Sequence, residues 1–569
     1  MAAQQKRKLS GWWFLCIAML LAMIFFGQLW GPSPPIRVAP ETTRATDLLS
    51  PDGFPDYAAH LHRQLDREVP AAENAAVPIW QALWPGELNA EGEKLICEAL
   101  GMPTPNPDEA LESLFNTQNM DSVAQWSRSL GPTESRDEFD VVSELQERAD
   151  EVISSCMKRP WTTEMVPPLG QWALDNQGPL DLLVEGASRP RFYSPSPSLL
   201  DDKDEPLVMM LLPGAQMLRR AARALSCRAM WHVGEGRNME AWQDLQAIHR
   251  IARHGAKGNW LIRLLVAIAV DSVAFDGTQA LLHHGNLTEE EAETILRDLN
   301  QMPPMPAMAQ PLTTSERYAY LDIVRRASND SLDSADLQAI LGLSNFRIPF
   351  DIIRSTRIDW NHVAERGNHI YDQMFDAMEL PRSERIIRME QIERDLADSS
   401  TGLEDPALFA KSLISCRVRS DVMANLVISM TVPAMSAASE ATDRVSARLN
   451  LARTSAGLAL FRARHGNYPE TLSELQPDIF AELPVDCFSG QPMIYRRKGD
   501  GYLLYSVYRN ELDDGGTNFG GDIVKGEWAE TGRVDLDTCD LVVLMPLPPT
   551  LPTIKTTVVE EAPPNSPDQ

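Results

Sequence analysis

Between Trp12 and Trp30 the chain reads WWFLCIAMLLAMIFFGQLW, nineteen residues without a charge. A helix of that length, rising about 1.5 Å per residue, spans a hydrocarbon layer of about 30 Å. Trp12, Trp13 and Trp30 fall at its two ends, where amphipathic rings favour the headgroup layer. Lys6, Arg7 and Lys8 precede it. Such a basic flank stays cytoplasmic, so everything after Gly31 is expected outside the cytosol. A cleaved signal peptide is the competing reading. Against it, Gln28-Leu29-Trp30 is too bulky for a small-x-small cleavage site, and the run exceeds a typical h-region. Cys16 follows Phe14-Leu15 and not a small residue, which speaks against a lipid-modified cysteine. The expectation is a cytoplasmic tail (1–10), a single-pass signal-anchor helix in the cytoplasmic membrane (11–31) and a Pro-rich stalk (32–52).

The 569 residues exceed one ordinary core and predict several domains. A net charge of −28 argues against a nucleic-acid binder, which needs positive surface to displace phosphate counterions. One stretch departs from that balance. Arg219–Arg263 carries nine Lys/Arg against Glu235, Glu240 and Asp244, and its basic faces are expected to meet acidic neighbours within the protein. Of seven cysteines none forms a C-x-x-C pair, so a zinc site is not expected.

Periodicity makes the chain mainly α. Helices broken by Pro and Gly are predicted over 53–187, including Tyr57–Arg67, Val77–Trp84, Gly92–Leu100, Asp108–Asn116 and Val141–Met157. A linker rich in Pro, Ser and Asp follows (188–206). A second helical region (207–432) contains the clearest hairpin, Gln216–Val233 and Asn238–His254. Stripes of Ala221, Leu225 and Ala229, and of Ala241, Leu245, Ile248 and Ala252, face each other there across Gly234-Glu235-Gly236. It resembles one tetratricopeptide-type unit without a second copy. The apolar Trp260–His283 is expected to be a buried helix, because Arg263 and Asp271 interrupt it. Thr288 and Glu291 form a capping box. From 433 to 545 a long helix striped by Ala441, Val445, Leu449, Ala452, Ala456, Ala459 and Ala463 ends at Gly466. Predicted strands follow at Met493–Arg497, Tyr502–Val507 and Asp540–Met545, and the acidic, Pro-rich tail 546–569 is expected to be disordered.

Within that last unit the order is a small-residue helix, HGNYPETLSEL, D-x-F-S-G-Q-P, two strands with L-Y-S, and an acidic glycine-rich loop, Asn510–Asp522. This order resembles the globular half of a type II secretion major pseudopilin, over about 85 residues. The resemblance implies a small α+β unit of a long helix and short antiparallel strands. It also implies a calcium site in the loop, with Asp513, Asp514 and Asp522 as carboxylate ligands and Asn518 or carbonyls completing the shell. Four carboxylates, two amides and four glycines in thirteen residues suit a cation that takes six to eight oxygens. Tyr508 and Glu511 stand where the family has glycines, and Cys487 stands where it has proline. Cys487 and Cys539 share the unit and are a candidate disulfide in an oxidising compartment. The remaining four-fifths resembles uncharacterised membrane-anchored bacterial proteins of irregular helical build, which implies an architecture and no activity.

No H-E-x-x-H, G-x-S-x-G or P-loop pattern occurs. Ser155-Cys156-Met157-Lys158 matches S-x-x-K without the S-D-N and K-T-G partners that chemistry needs. His60 and His62 point to different helix faces, and His283-His284 sit at a helix end. The leading expectation is therefore a non-enzymatic envelope scaffold with secretion or other envelope proteins as partners. The alternative is an extracytoplasmic hydrolase whose two carboxylates meet only in the fold.

Overall fold

The computed structural model describes residues 16–20, 23, 25–64, 69–86, 88–131, 138–194, 206–207, 213–257, 260–306, 308, 312–329, 331–332, 355–412, 414–429, 432–518, 523–525, 527–528 and 539–547, except 401–410 and 413. The protein is mainly helical, with a small three-stranded antiparallel sheet near the C-terminus. The basic flank, Trp12 and Trp13, most of the 188–206 linker and nearly all of the tail lie outside the described residues.

Among the described residues from Tyr57 to Ser188 the helices are α1 (Tyr57–Gln64), α2 (Ala76–Ala82), α3 (Ala90–Leu100), α4 (Thr117–Ser127), α5 (Glu138–Cys156), α6 (Pro167–Asp175) and α7 (Gln177–Ser188). The helix expected over Asp108–Asn116 is instead a single turn, Pro107–Glu109, capped by Asn106. The true helix starts at Thr117 because Asn116 accepts a hydrogen bond from the Asn119 N–H, an N-cap that the periodicity did not signal.

The hairpin forms as α8 (Pro213–Gly234) and α9 (Asn238–Ala256), with α10 (Leu261–His284) packed on both. All the stripe residues named above in α8 and α9 are buried. Contact on several sides explains why α10 is apolar around most of its circumference. The capping box at Thr288/Glu291 opens α11 (Glu289–Gln301). Part of the basic stretch is absorbed internally, while Arg250 and Lys257 are exposed. Arg228 donates to Asp244 through Nε (3.0 Å) and Nη2 (2.6 Å), and to Asp181 through Nη1 (2.7 Å). Arg253 Nη1 donates to Asp271 Oδ1 (2.6 Å), while Arg237 stacks on Trp231.

A third group comprises α12 (Arg317–Ser328), α13 (Trp360–Met378), α14 (Arg382–Ser400) and α15 (Cys416–Ser429), with α13 touching the other three. The Pro-rich segment after the N-terminal apolar run lies along α13. Asn361 donates to the Pro35 carbonyl (2.9 Å) and accepts from the Arg37 N–H (2.8 Å). Asn368 donates to the carbonyls of Glu41 and Thr42, and Arg44 pairs with Asp372. Proline-rich chain has few partners of its own for its carbonyls, and helix-borne amides satisfy them here.

The spine of the C-terminal part is α16 (Val432–His465), which packs on α10 and α11 along one side and on the sheet along another. Its expected stripe is buried from Ala441 to Ala459, and Ala447, Leu451, Leu458 and Leu460 bury a second face. Gly466 at φ 79° ends it, a conformation that costs glycine little. The sheet runs β1 (Ile494–Lys498), β2 (Gly501–Ser506), β5 (Leu541–Met545), antiparallel in the order β1-β2-β5. The expected strands are present, shifted by about one residue. A two-residue hairpin, β3 (Ile523–Val524) and β4 (Glu527–Trp528), adds to them.

Candidate functional site

The sequence features of the C-terminal unit converge around one end of β2. Asp486, of D-x-F-S-G, is buried and its carboxylate bonds both its own turn and the end of β2. Oδ1 accepts from the Phe488 N–H (3.0 Å) and Ser506 Oγ (2.9 Å), and Oδ2 accepts from the Val507 N–H (3.1 Å). It thus ties the turn to the L-Y-S end of β2. Tyr468, of the N-Y-P element, is buried edge-on against Tyr502, and Tyr495 Oη donates to the Pro469 carbonyl (2.7 Å).

Beyond Ser506 the chain needs a path that glycine would ease. Tyr508 and Glu511 adopt it without glycine, at φ 52° and 58°, a strained conformation worth about 1 kcal/mol or more for each. Side-chain contacts hold both. Tyr508 Oη donates to Glu440 of α16 (2.6 Å), and Glu511 pairs with Arg382 of α14.

The loop residues expected to bind a cation are then sorted by their contacts. Asp513 faces partners of its own: Oδ1 accepts from Tyr505 Oη (2.6 Å) and the Gly515 N–H (2.9 Å), and Oδ2 lies 3.2 Å from Arg496. Burial works against its charge, but those bonds outweigh it and hold the carboxyl below its ordinary value. Asn518 Oδ1 accepts from the Ile523 N–H (2.9 Å), closing the loop. Asp514 is half-buried, with Oδ2 taken by Asn510 Nδ2 (2.8 Å). Asp522 lies outside the described residues.

A residue that the loop motif did not include completes the picture. Asp540, just before β5, is 2% exposed. Its Oδ2 accepts from the Gly516 N–H (2.8 Å) and the Thr517 N–H (3.3 Å), while Oδ1 is buried with no hydrogen-bond partner. Burial pushes this carboxyl up to about 6, against the two N–H groups and with the nearby Asp514 charge adding to it. A buried carboxylate oxygen without a donor is a costly arrangement that a cation relieves. Among the described residues no three His, Cys, Asp or Glu side chains converge on one point. Of the loop residues, Asp514 is thus the one beside Asp540, whereas Asp513 and Asn518 are engaged with Tyr505, Arg496, Gly515 and Ile523. The sequence signal for Asp540 is a lone carboxylate at the threshold of an apolar strand, where one seldom occurs without a partner.

The other candidates resolve differently. His249 Nδ1 and Asp271 Oδ1 are 2.7 Å apart, yet both side chains are sealed in the α9–α10 interface, closed to any substrate. The thiol of Cys156, in the S-x-x-K stretch, is pushed up to about 12 by burial. His60 is buried with Nε2 2.7 Å from the Asp47 carbonyl. Burial lowers the pKa of His283 to about 4 and also depresses that of His284. Cys487 and Cys539 are not joined in a disulfide; Cys539 belongs to a small apolar cluster against which Cys487 packs, and the Cys487 Sγ donates to the Asp443 carbonyl (3.3 Å).

One cavity of about 680 Å³ opens where α13 and α15 meet the end of the N-terminal apolar helix. Its wall carries two carboxylates. Asp359 caps α13 by accepting from the His362 N–H (3.3 Å), and Glu365 lies 4.0 Å from Arg37. No protein-family model, curated protein or solved structure matches the chain.

Proposed function

We propose that this chain is a single-pass envelope protein that acts as a non-enzymatic scaffold, with its helical body and C-terminal unit facing away from the cytosol. The observation that carries the reading is the state of the N-terminal helix. Residues 16–20, 23 and 25–30 are helical, and Ile17, Met19, Leu20, Met23, Phe25, Phe26 and Trp30 are exposed. Burial against the body begins at Leu29. Apolar side chains displayed along a helix in this way need lipid or another protein to cover them. Among the described residues no helix is long and apolar enough to cross a membrane; the proposed span draws on residues 12–15, 21, 22 and 24 as well.

The C-terminal unit, similar in its motifs to a pseudopilin globular half, is the interaction module of this reading, with secretion or other envelope proteins as partners. The α8–α9 hairpin, similar to a single tetratricopeptide unit, offers a second surface. Calcium at Asp540 and Asp514 would pin the loop against β5 and neutralise two neighbouring carboxylates. The hydrolase alternative draws on Asp359 and Glu365 in the cavity. It is the weaker reading, since one of them is committed to a helix cap and the other faces an arginine.

The test is made on the full chain in native membranes, with a reporter placed after Gln569. Retention through alkaline carbonate extraction, together with reporter cleavage by protease added to spheroplasts, is the expected result. Extraction without detergent, or a reporter protected until the membrane is dissolved, overturns the reading.

A further inference from the structure

The end of the apolar helix is gripped by arginines of the helical body. The Arg357 N–H donates to the Leu29 carbonyl (2.8 Å), and the buried Arg419 donates to the carbonyls of Gln28, Arg357 and Ser412. A helix C-terminus leaves carbonyls without partners, and cations suit it. These guanidiniums do more than cap. Neither Arg357, Arg417 nor Arg419 has an ion pair with a carboxylate among the described residues, and Arg357 Nε is buried with no hydrogen-bond partner. The cavity beside them is lined by Gln28, Arg37, Arg357 and Arg417 together with Asp359 and Glu365. Close by, Ile414 is 66% exposed, and Trp30 is 62% exposed at the helix end.

We propose that this cavity binds the phosphate of an anionic membrane phospholipid, with Arg357 and Arg417 as its ligands. The proposal rests on the reading of the N-terminal helix as an anchor, which puts Gln28 and Trp30 at headgroup depth and so supplies the lipid. A phosphate in the cavity gives the Arg357 and Arg417 guanidiniums the counter-charge that no carboxylate among the described residues supplies, and guanidinium planes suit phosphate bidentately. Asp359 is committed to the α13 cap and Glu365 lies 4.0 Å from Arg37. Three arginines against two carboxylates thus leave the lining positive by one charge, which suits a singly charged phosphate with a neutral, hydroxyl-bearing headgroup such as glycerol. The two carboxylates disfavour a second phosphate. Ile414 and Trp30 then lie in the interfacial layer, where a large apolar side chain is at home. The outcome is a body seated flat on the membrane surface and fixed by lipid at the root of its anchor.

The experiment uses the full chain in a neutral detergent, titrated with short-chain phosphatidylglycerol, short-chain phosphatidylcholine or inorganic phosphate, with binding read by calorimetry and by lipid retention in native mass spectrometry. One phosphatidylglycerol is expected per chain, bound about tenfold more tightly than phosphatidylcholine, which is the effect of one charge-assisted hydrogen bond or a little less. Arg417→Gln removes an exposed side chain with no hydrogen bond or ion pair among the described residues, and Arg357→Gln leaves that residue's backbone bonds in place; each is expected to abolish the preference. Equal binding of the two lipids, or an unchanged preference in Arg417→Gln, overturns the proposal. Inorganic phosphate competing as strongly as phosphatidylglycerol assigns the cavity to a soluble anion and overturns it as well. Flotation on phosphatidylcholine vesicles reads the anchor separately. A chain that floats but shows no lipid preference refutes this site alone, whereas one that fails to float refutes the anchor and the lipid source together.

Discussion

The α8–α10 layer and the C-terminal loop use the same residue types and reach opposite results. In the first, Asp244 meets Arg228 in a two-point pair, and Asp271 meets both His249 and Arg253. Every one of these carboxylate partners is a fixed side chain of the protein. In the second, Asp540 is as deeply buried, but its company is two backbone N–H groups and another carboxylate, and one oxygen has no donor. Burial alone therefore does not decide how a carboxylate is balanced. What separates these is whether a cationic side chain of the protein meets the carboxylate, as at Asp244 and Asp271, or only backbone N–H groups, as at Asp540.

The largest expected effect breaks the closed region. Asp271→Ala leaves Arg253 and His249 buried without their counter-charge, and a loss of about 3–5 kcal/mol is expected in denaturant unfolding of the full chain. In the intact protein burial raises the Asp271 carboxyl, but His249 and Arg253 bring it down to about 2, below its ordinary 3.8. The stabilisation from this group is therefore complete above the unfolded value and is lost as pH falls from about 4 through about 2. A loss under about 1 kcal/mol on substitution would place Asp271 with the open group instead.

A steric test in the same layer comes next. Gly234 ends α8 against the Trp161 backbone, where an added Cβ meets the Trp161 carbonyl oxygen at 1.9 Å. Gly234→Ala is expected to cost about 1–3 kcal/mol by forcing the two segments apart, measured by the same unfolding curve.

The open region is tested by pH and calcium together. The Asp540 carboxyl rises from 3.8 to about 6 on folding, so the folded state holds this proton more tightly than the unfolded state. Its contribution is fully present below the unfolded value and is lost as pH rises through about 6. Calcium is expected to restore stability at neutral pH and to do little at pH 4, seen as a cation-dependent melting temperature or protection of the 510–518 loop from protease. In Asp540→Asn the calcium response should vanish while stability without calcium holds or rises. A full response in that variant would move the cation elsewhere.

The smallest expected effect concerns Asp513, whose partners are all internal. Asp513→Asn weakens the Arg496 pair and alters the bond from Tyr505, at about 0.5–1 kcal/mol, and should leave the calcium response intact. Loss of the response would return Asp513 to the ligand set that the resemblance implied.

The helical character, the α8–α9 hairpin, the α11 capping box and the three main strands were legible because each is written in local periodicity and capping residues. The Asp108–Asn116 helix was misplaced because its start depends on one Asn side chain reaching forward three residues. The site was only half legible. A run of acidic residues and glycines marks a loop, yet the sequence cannot tell Asp513, which turns to Tyr505 and Arg496, from Asp514, which lies near Asp540. Asp540 stands 26 residues beyond Asp514, and only the pairing of β2 with β5 brings it under the loop. The arginine grip on the N-terminal helix was likewise invisible, since Arg357 and Arg419 are more than 300 residues from the carbonyls they cap.

Because α16 has one flank against α10 and α11 and another against the sheet, cutting the chain near Val432 would strip a long ribbon of alanine and leucine bare. The C-terminal piece taken alone should clump, and the remaining helices would lose a wall. Any association of this chain with copies or strangers must then use its rims and loops, because both flanks of that long rod are already occupied by its own molecule.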